Sequence, residues 1–483
     1  MKTNTRLFRD LAGLALGILL FLFVQLSNPF NVDARAVNAL SVAVLMFTWW
    51  ISEALPMAVV ALLPLILLPL MGVSPLKEVA ASYADGNIFL FMGGFMLALA
   101  IEKWNLHKRI ALGIINLTGT SGNRIVLGFI LATGFMSMWL SNTATTMMMF
   151  PIAASVIHVV KENHKGNARM DNFALAIMLA IAYASNFGGI ATIMGTPPNI
   201  AFRGLIEEKY NYTIEFFDWM ILCAPIALLL LLSLQFVMTR VLYPNKLASE
   251  PQTRLLIKGE LKKLGPMSTQ EVRVLIIFTS TVFLWITNGF INYKGLDDTI
   301  IALLGAVALF ICPTGGPQSN AGRKILEWGD TSKMAWGILL LFGGGIALAS
   351  SLQKAGLIQL LGEWIAGFSQ GGFVLVLVIT FVSLFISEVM SNIAQVIVFT
   401  PVISGIADAI GVSPILLGLP MCLGASCASM MPMGTPPNAI VFASGHIKFG
   451  QMMKTGFVMN IIAGILVSLF CWYLVPLLMN IIN

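Results

Sequence analysis

Residues 195–199 read GTPPN, and residues 434–438 read GTPPN again, each inside a long apolar stretch of the same chain. Two consecutive prolines cannot donate backbone hydrogen bonds or continue a helix backwards, and the preceding glycine tolerates unusual torsions. Each pentapeptide therefore predicts a break in an apolar helix. We expect broken helices over residues 172–206 and 413–444.

A second motif occurs twice in the same order relative to the first. Residues 141–151, SNTATTMMMFP, align with residues 391–401, SNIAQVIVFTP, and upstream of them FMGGF at 91–95 resembles FGGGI at 342–346. The order is kept in both halves: glycine-rich helix, Ser-Asn segment, Gly-Thr-Pro-Pro-Asn break. Since each unit holds an odd number of crossings, the second enters the membrane in the opposite sense. Inverted repeats with Gly/Pro-interrupted apolar segments are typical of secondary transporters.

The composition is that of an integral membrane protein. Of the 483 residues 58% are hydrophobic and only 10% are charged, whereas soluble domains carry about 25% charged residues. Several apolar runs match the ~20 residues that cross a bilayer as a helix. The predicted fold is all-α and membrane-embedded, with eleven transmembrane helices plus two re-entrant helical hairpins in inverted repeats.

The basic residues give an orientation for this topology. Spans are predicted near residues 11–27, 36–51, 55–71, 88–102, 172–206, 216–241, 273–292, 299–313, 334–350, 413–444 and 454–480. With a cytoplasmic N-terminus, most of the 28 Lys and Arg residues fall inside, as the positive-inside rule requires. The C-terminus then lies outside, in a multi-pass protein of the inner or plasma membrane. This topology accounts for the net charge of +6 without a nucleic-acid partner.

Four regions follow from the repeats and spans. They are an N-terminal segment with the first transmembrane helix (1–35), repeat 1 (36–242), a cytoplasmic connection (243–272) and repeat 2 (273–483). The inner hairpin covers 122–160 and the outer hairpin 372–410. Each hairpin carries one Ser-Asn pair at its tip, and each broken helix follows its hairpin.

The Ser-Asn tips predict paired binding sites for a cation and an anion. A buried asparagine without a partner costs several kcal/mol, so Asn142 and Asn392 require backbone, ligand or ion partners. The half-helix that ends near Leu140 or Met390 presents free carbonyls, which suit Na⁺ together with Ser and Asn oxygens. The half-helix that follows presents free N–H groups, which suit a carboxylate. Ser137 and Ser387 lie one turn before the tips and add a hydroxyl to each cation site.

Two other classes of protein are weighed against a transporter. A channel would use the Ser-Asn tips as a filter, but it would not show counterflow of a bound substrate. An enzyme is not expected, since no Ser-Lys or Ser-His pair, HExxH or GxGD stretch accompanies the serines. Glu388, beside the second tip, is a candidate for proton coupling or for a contact with the scaffold.

These motifs resemble the divalent-anion:sodium symporters, the INDY-type di- and tricarboxylate transporters. That family carries paired Ser-Asn-Thr motifs on two re-entrant hairpins, helix breaks with Pro-Pro-Asn, and a stretch similar to ISEALP at 51–56. The resemblance covers nearly the whole chain. It implies a homodimer, the lipid bilayer as its environment, and an elevator motion of a transport domain against a scaffold.

The resemblance also implies the binding residues. Sodium site 1 is expected to use Ser137, Ser141, Asn142 and the carbonyl of Gly189, and sodium site 2 to use Ser387, Met390, Asn392 and Ala428. The substrate carboxylates are expected to meet Asn142, Thr143, Ser391 and Asn392, with Thr196 and Thr435 of the two breaks on the opposing wall. Sodium is the coupling ion, and no organic cofactor is expected.

One position departs from the family pattern, because the second motif has Ile393 where a threonine is expected. The pocket loses one hydroxyl and therefore favours a small C4-dicarboxylate such as succinate, malate or fumarate over citrate. The predicted function is sodium-coupled uptake of such dicarboxylates. Citrate, 2-oxoglutarate or sulfate transport by the same architecture, and sodium-independent dicarboxylate exchange, remain the alternatives.

Overall fold

The computed structural model describes residues 2–29, 31–119, 121–163, 169–245, 251–291, 295–315, 323–357, 360 and 372–482. Within these ranges the chain is helical, and β-pairing is limited to one isolated bridge between Pro313 and Lys324. The all-α prediction is confirmed for the described part of the chain.

The described part of the chain before residue 246 contains fourteen helical segments, one of which is a 3₁₀ helix at Ser82–Ala84. Its α-helices span Lys2–Ser27, Ala34–Ser52, Met57–Val60, Leu63–Leu70, Leu76–Ala81, Gly86–Lys103, Leu106–Thr118, Gly122–Ser137, Asn142–Asn163, Arg169–Gly189, Pro197–Tyr210 and Phe216–Phe236, and the last continues as a π-helix over Val237–Leu242. In the second half they span Pro251–Lys263, Thr269–Ile291, Asp298–Ile311, Trp336–Lys354, Phe373–Ile386, Asn392–Ile410, Pro414–Ser426, Pro436–Ala443 and Phe449–Ile482.

Ten helices of the described chain are long and apolar enough to cross a membrane. They include Asn142–Lys161 and Asn392–Ile410, which the sequence assigned to hairpins. The expected span at 55–71 is instead two short helices, since Pro56 precedes the first and Pro64 begins the second. Asp298–Ile311 and Pro414–Ser426 are also short of a full span. A multi-pass membrane protein is therefore clear, and the total of eleven crossings stays a prediction.

The Ser-Asn motifs lie at sharp tips between paired helices. We call Gly122–Ser137 with Asn142–Asn163 helix pair 1, and Phe373–Ile386 with Asn392–Ile410 helix pair 2. The first helix of each pair ends a few residues earlier than expected. The second begins at Asn142 or Asn392, one residue before the expected start at Thr143 or Ile393. The expected end points near Leu140 and Met390 were therefore wrong by three and four residues, respectively.

Both GTPPN motifs break a helix, as predicted. Broken helix 1 consists of Arg169–Gly189 and Pro197–Tyr210, and broken helix 2 of Pro414–Ser426 and Pro436–Ala443. In both, the two prolines open the second half, where a missing N–H costs nothing. A Cβ on Gly195 would lie 2.4 Å from the Gly189 carbonyl oxygen and 2.8 Å from that of Ser137. Only glycine lets this break approach the first tip so closely.

The helix pairs and broken helices pack in the same pattern in both halves. The first half of each broken helix contacts both helices of its own pair. The second half crosses over: Pro197–Tyr210 packs on Asn392–Ile410, and Pro436–Ala443 packs on Asn142–Asn163. Of the Met170–Gly189 span, 94% is buried in the protein. The four elements thus interlock around broken helix 1 and bring both tips to both breaks.

The polar connection contains more structure than its composition suggested. Pro251–Lys263 forms a helix inside the predicted connection 243–272, part of which lies outside the described residues. The connection is tied to Leu106–Thr118, because Arg109 bonds the Glu271 carboxylate at 2.9 Å and the Gly265 carbonyl at 2.9 Å. A short amphipathic helix was not expected at Leu106–Thr118.

Candidate functional site

A single cavity of about 1040 Å³ lies between the two tips and the two breaks. All six residues predicted to contact substrate line it: Asn142, Thr143, Thr196, Ser391, Asn392 and Thr435. They come from four elements that are far apart in sequence, so the repeats converge on one space. Ile393 also lines this cavity and presents an apolar side chain where the family pattern has a hydroxyl.

The residues predicted to hold sodium divide between the cavity wall and the layer behind it. Ser141, Asn142, Met390 and Asn392 line the cavity. Ser137, Gly189, Ser387 and Ala428 are buried. Each predicted sodium site therefore spans from the cavity surface to the buried backbone of a broken helix.

At the first tip, oxygen atoms converge on the Asn142 amide. The Ser137 hydroxyl lies 2.6 Å from Asn142 Oδ1. The same end of the amide lies 3.1 Å from the Ser185 carbonyl oxygen and 3.2 Å from the Gly195 carbonyl oxygen. A group of hydroxyl, amide and carbonyl oxygens suits a hard cation. Ser185 and Gly195 were not predicted, whereas the Ser141 hydroxyl caps the following helix by accepting from Ala144 N at 3.2 Å.

The second tip repeats the central contact of the first. Ser387 Oγ donates to Asn392 Oδ1 at 2.6 Å and also contacts the Ala425 carbonyl. Ala425 belongs to the first half of broken helix 2, as Ser185 belongs to the first half of broken helix 1. The same three kinds of oxygen, hydroxyl, amide and carbonyl, therefore meet at both tips, which is the donor set that both predicted sodium sites require.

The last residue of each GTPPN motif holds its break together. Asn199 Nδ2 donates to the Gly189 carbonyl at 3.2 Å and to the Thr192 carbonyl at 2.8 Å. Asn438 makes the matching bonds, at 3.4 and 3.1 Å, to the carbonyls ten and seven residues before it. Sequence reasoning used these asparagines only as part of the motif. Their buried amides fix the direction of the carbonyls at Gly189 and Ala428, which are two of the backbone positions predicted to face sodium.

Asn186 is a site residue that the sequence did not reveal. It is 1% exposed and lines the cavity. Its Nδ2 donates to Thr435 Oγ1 at 3.1 Å and to the Ala428 carbonyl at 3.4 Å, while Asn142 Nδ2 lies 3.5 Å from its Oδ1. Ala425 precedes the GTPPN motif of broken helix 2 by as many residues as Asn186 precedes that of broken helix 1. Asn186 thus has no amide counterpart in the second repeat and connects the two halves of the site.

Glu388 has a structural role that differs from both expectations. Its carboxylate accepts from the backbone N–H groups of residues 429–431 at 2.8 to 2.9 Å and from Asn460 Nδ2 at 2.6 Å. It is 3% exposed. The side chain therefore fixes the non-helical backbone of the second break, a role that neither expectation named. Met138 is the matching residue of the first tip.

Charged side chains line the cavity away from the tips. Among the described lining residues these are Glu53, Glu102, Lys108 and Lys333. His107 lies beside them and is buried, and this burial lowers its pKa below the ordinary value of 6.5 although the Ile101 carbonyl opposes the shift. A neutral imidazole is therefore expected at neutral pH. The tips and breaks contribute neutral oxygens and amides to the lining.

A comparison with family models places the chain. Residues 7–480 match the family described as the sodium:sulfate symporter transmembrane region. The match covers both helix pairs and both breaks, so the predicted resemblance is confirmed.

Curated relatives match over nearly the full length. The sodium-dependent dicarboxylate transporter SdcS of Staphylococcus saprophyticus is 40% identical over 479 residues, which are 97% of this chain and 92% of that protein. SdcS of Staphylococcus aureus strain USA300 is 40% identical over 482 residues, which are 98% of this chain and 92% of that protein.

Two solved structures share the fold at low sequence identity. The YdaH transporter of Alcanivorax borkumensis has a TM-score of 0.58 at 14% identity and covers 90% of this chain and 99% of that chain. MtrF of Neisseria gonorrhoeae, described as an antimetabolite efflux pump, has a TM-score of 0.55 at 13% identity and covers 82% of this chain and 83% of that chain. With the family match and the relatives at 40% identity, the chain belongs to the sodium:sulfate symporter family, the divalent-anion:sodium symporters.

Proposed function

We propose that the protein takes up C4-dicarboxylates such as succinate, malate and fumarate together with Na⁺. The observation that carries this proposal is the repeated Ser-Asn arrangement at the two tips, with one cavity between them. The curated relatives named as sodium-dependent dicarboxylate transporters support the substrate class and the coupling ion.

Sodium is a transported ion in this account, and the donor sets fit it. Site 1 consists of Ser137, Ser141 and Asn142 with the Gly189 carbonyl, to which the geometry adds the Ser185 and Gly195 carbonyls. Site 2 consists of Ser387, Asn392 and the carbonyls of Met390 and Ala428. Carbonyl, amide and hydroxyl oxygens are ligands that a hard cation accepts. Because these two ligand sets contain no carboxylate, they do not repel an anionic substrate bound nearby.

The dicarboxylate is held by the starts of two helices. Asn142 and Asn392 are the first residues of their helices, so the N–H groups of each first turn and the positive end of each dipole face the cavity wall. Thr143 and Ser391 add hydroxyls beside these ends. Thr196 and Thr435 approach from the breaks, and both line the same cavity.

The charge of the substrate makes bound sodium necessary. Neither tip nor break places a Lys or Arg side chain in the described lining, where Lys108 and Lys333 are the basic residues. Helix dipoles alone stabilise a charge by about 0.3–2 kcal/mol each, too little for a dianion that leaves water. Two or more Na⁺ therefore bind first and supply the countercharge for the dicarboxylate.

Transport follows from movement of the interlocked elements as one body. The helix pairs and broken helices contact each other across the repeats, so they move together, and the remaining helices act as the scaffold of a homodimer. The two helix pairs enter the inner or plasma membrane from opposite sides as re-entrant hairpins, with the N-terminus in the cytoplasm. This elevator motion would carry the cavity from one membrane face to the other.

The substrate and the coupling ion are tested together in proteoliposomes. Uptake of radiolabelled succinate is measured under an inward Na⁺ gradient and under an equal choline gradient, with unlabelled malate, fumarate, citrate, 2-oxoglutarate or sulfate as competitor. We expect uptake only with Na⁺, and competition mainly by malate and fumarate. Equal uptake in both gradients would reject sodium coupling and leave the anion site standing. Stronger competition by citrate or sulfate would mean that the substrate is a tricarboxylate or sulfate rather than a C4-dicarboxylate.

A further inference from the structure

Asn186 contacts residues of both predicted sodium sites and a predicted substrate residue. Its amide nitrogen reaches the Ala428 carbonyl and the Thr435 hydroxyl oxygen, and its amide oxygen faces Asn142. It lies in the first half of broken helix 1, whereas Ala428 and Thr435 belong to the second break, 242 and 249 residues later. One buried amide therefore connects the two repeats at the cavity wall.

The amide of Asn142 fits its surroundings in two orientations. With its oxygen toward Ser137, it completes the group of oxygens that includes the Ser185 and Gly195 carbonyls. Two carbonyls and an amide oxygen repel each other unless a cation lies among them. With its nitrogen in that place, Asn142 donates to Gly195 O at 3.2 Å, Ser185 O at 3.1 Å and Ser137 Oγ at 2.6 Å. The first orientation suits bound sodium, and the second suits its absence.

The orientation of Asn142 determines that of Asn186, because an amide pairs an oxygen with a nitrogen. When Asn142 turns its oxygen to the cation, its nitrogen faces Asn186 Oδ1, and Asn186 Nδ2 donates to Thr435 and Ala428. When Asn142 turns around, its oxygen lies beside Asn186 Oδ1. Turning Asn186 as well removes this contact between two oxygens and presents its oxygen to Thr435 and to the Ala428 carbonyl.

The hydrogen bonds of the Thr435 hydroxyl depend on the orientation of Asn186. In the orientation that suits bound sodium, Thr435 Oγ1 accepts from Asn186 Nδ2 at 3.1 Å and from the Asn438 backbone N–H at 3.4 Å. Its hydroxyl proton is then left for a ligand of the cavity, which Thr435 lines. With Asn186 reversed, the Thr435 hydroxyl donates to Asn186 Oδ1 instead. The carboxylate of a substrate then loses a hydrogen-bond donor.

We propose that Asn142, Asn186 and Thr435 form an amide relay through which sodium at the first tip prepares the opposite wall of the cavity for a carboxylate. Asn186 is the positioning residue of this relay, and it acts through Thr435 rather than on the transported ions. The relay rests on the proposed function and explains how a cation bound at one repeat raises the affinity for an anion held partly by the other. It also lets the first site affect the Ala428 carbonyl of the second.

The test measures binding of succinate to purified protein at low and high Na⁺ through the thermal stabilisation that a bound ligand confers. Sodium coupling is the ratio of the two succinate dissociation constants. In Asn186→Ala we expect this ratio to fall by about threefold to tenfold, the range of one neutral hydrogen bond. Stabilisation by Na⁺ alone is expected to persist, since the oxygens around Asn142 remain. A coupling ratio equal to that of the wild type overturns the relay.

Thr146→Val is the matched control. Thr146 is buried, and its hydroxyl donates to the Ser185 hydroxyl at 3.0 Å, next to Asn186 in the chain but outside the relay. We expect the wild-type coupling ratio in this variant. If Asn186→Ala does not unfold cooperatively, Asn186→Ser replaces it, because a serine is too short to bridge Asn142 and Thr435.

A double-mutant cycle separates positioning from general damage. In a Thr435→Val background the hydroxyl is absent, so Asn186→Ala is expected to lower the coupling ratio no further. Additive losses would mean that Asn186 acts independently of Thr435 and would contradict the relay. The wild-type protein tests the proposed function separately: if Na⁺ does not change its succinate affinity, sodium-coupled dicarboxylate binding fails and the relay fails with it. A normal wild-type ratio with an unchanged variant ratio rejects the relay alone.

Discussion

Ser387 donates a hydrogen bond from its hydroxyl to Oδ1 of Asn392 over 2.6 Å. Ser137 and Asn142 stand in the same relation, also at 2.6 Å and also five residues apart. In both cases the serine ends the first helix or begins the tip, and the asparagine begins the second helix. The two repeats therefore offer equivalent oxygen groups on either side of one cavity.

Removing either asparagine is expected to weaken sodium binding at one site and spare the other. In Asn142→Ala or Asn392→Ala, the Na⁺ concentration for half-maximal succinate uptake should rise by about tenfold or more, as for loss of a residue that binds or orients a metal. Cooperativity toward Na⁺ should fall toward that of one site. The measurement is the Na⁺ dependence of initial uptake rates in proteoliposomes.

Ser155→Ala is the control for the first site. Its exposed hydroxyl lies on the same helix as Asn142 and donates to the Pro151 carbonyl at 3.0 Å. Uptake by this variant should match that of the wild type. An unchanged Na⁺ dependence in both asparagine variants would show that the tips do not hold the coupling ions.

Ile393→Thr should widen the substrate range. The side chain lines the cavity, so a hydroxyl there adds one donor that a third carboxylate or a hydroxyl group of citrate can use. We expect the inhibition constant for citrate to fall by about threefold to tenfold relative to that for malate. Competition against labelled succinate measures both constants. A parallel change for both anions would indicate a general effect on the pocket and reject this explanation of specificity.

Glu388→Gln should destabilise the protein. The carboxylate accepts from three consecutive backbone N–H groups and from Asn460, and glutamine keeps only one accepting oxygen and places an NH₂ against donors. A loss of about 3 kcal/mol is expected for a buried group of this kind. The melting temperature in detergent measures the effect, with the exposed Glu260→Gln as control. Wild-type stability of Glu388→Gln would show that the second break does not depend on this charge.

Asp298→Asn should also lower stability, because it removes the carboxylate that forms an ion pair with the buried Arg203 guanidinium. Arg203 Nη2 lies 3.3 Å from Asp298 Oδ2, and their side chains are 4% and 2% exposed. Breaking such a pair costs about 3–5 kcal/mol. The Lys354–Glu78 pair, at 2.8 Å with side chains 47% and 53% exposed, is the control. Lys354→Gln should leave the melting temperature unchanged, and an equal loss in both variants would contradict the role of burial.

The parts of the fold set by local backbone chemistry were predictable from the sequence. Two prolines after Gly-Thr force a break wherever they occur, and the pairing of each Ser-Asn motif with a break fixed the order of elements. The short helices Met57–Val60 and Leu63–Leu70 were missed, although Pro56 and Pro64 carried the same signal within a stretch read as one span. Hydropathy does not mark the residue at which a helix ends, so the helix ends at the tips lie a few residues from the expected ones.

Contacts between distant parts of the chain were not predictable in the same way. The residues of the six-member substrate set were found because they carry a repeated motif. Asn186 carries no motif, and its partners Ala428 and Thr435 lie 242 and 249 residues away in the sequence. Glu388 was visible beside a motif, but its direction depends on the backbone of the second break, which no periodicity specifies.

Accumulation of succinate against its own gradient tests the central claim most directly. Proteoliposomes are loaded with labelled succinate at the same concentration as outside, and an inward Na⁺ gradient is then imposed, with choline as the control. Coupled transport predicts that internal succinate rises above the external concentration with Na⁺ and stays level with choline. Internal succinate that stays level in both cases, in vesicles that still exchange labelled for unlabelled succinate, would contradict sodium coupling and leave only an exchanger.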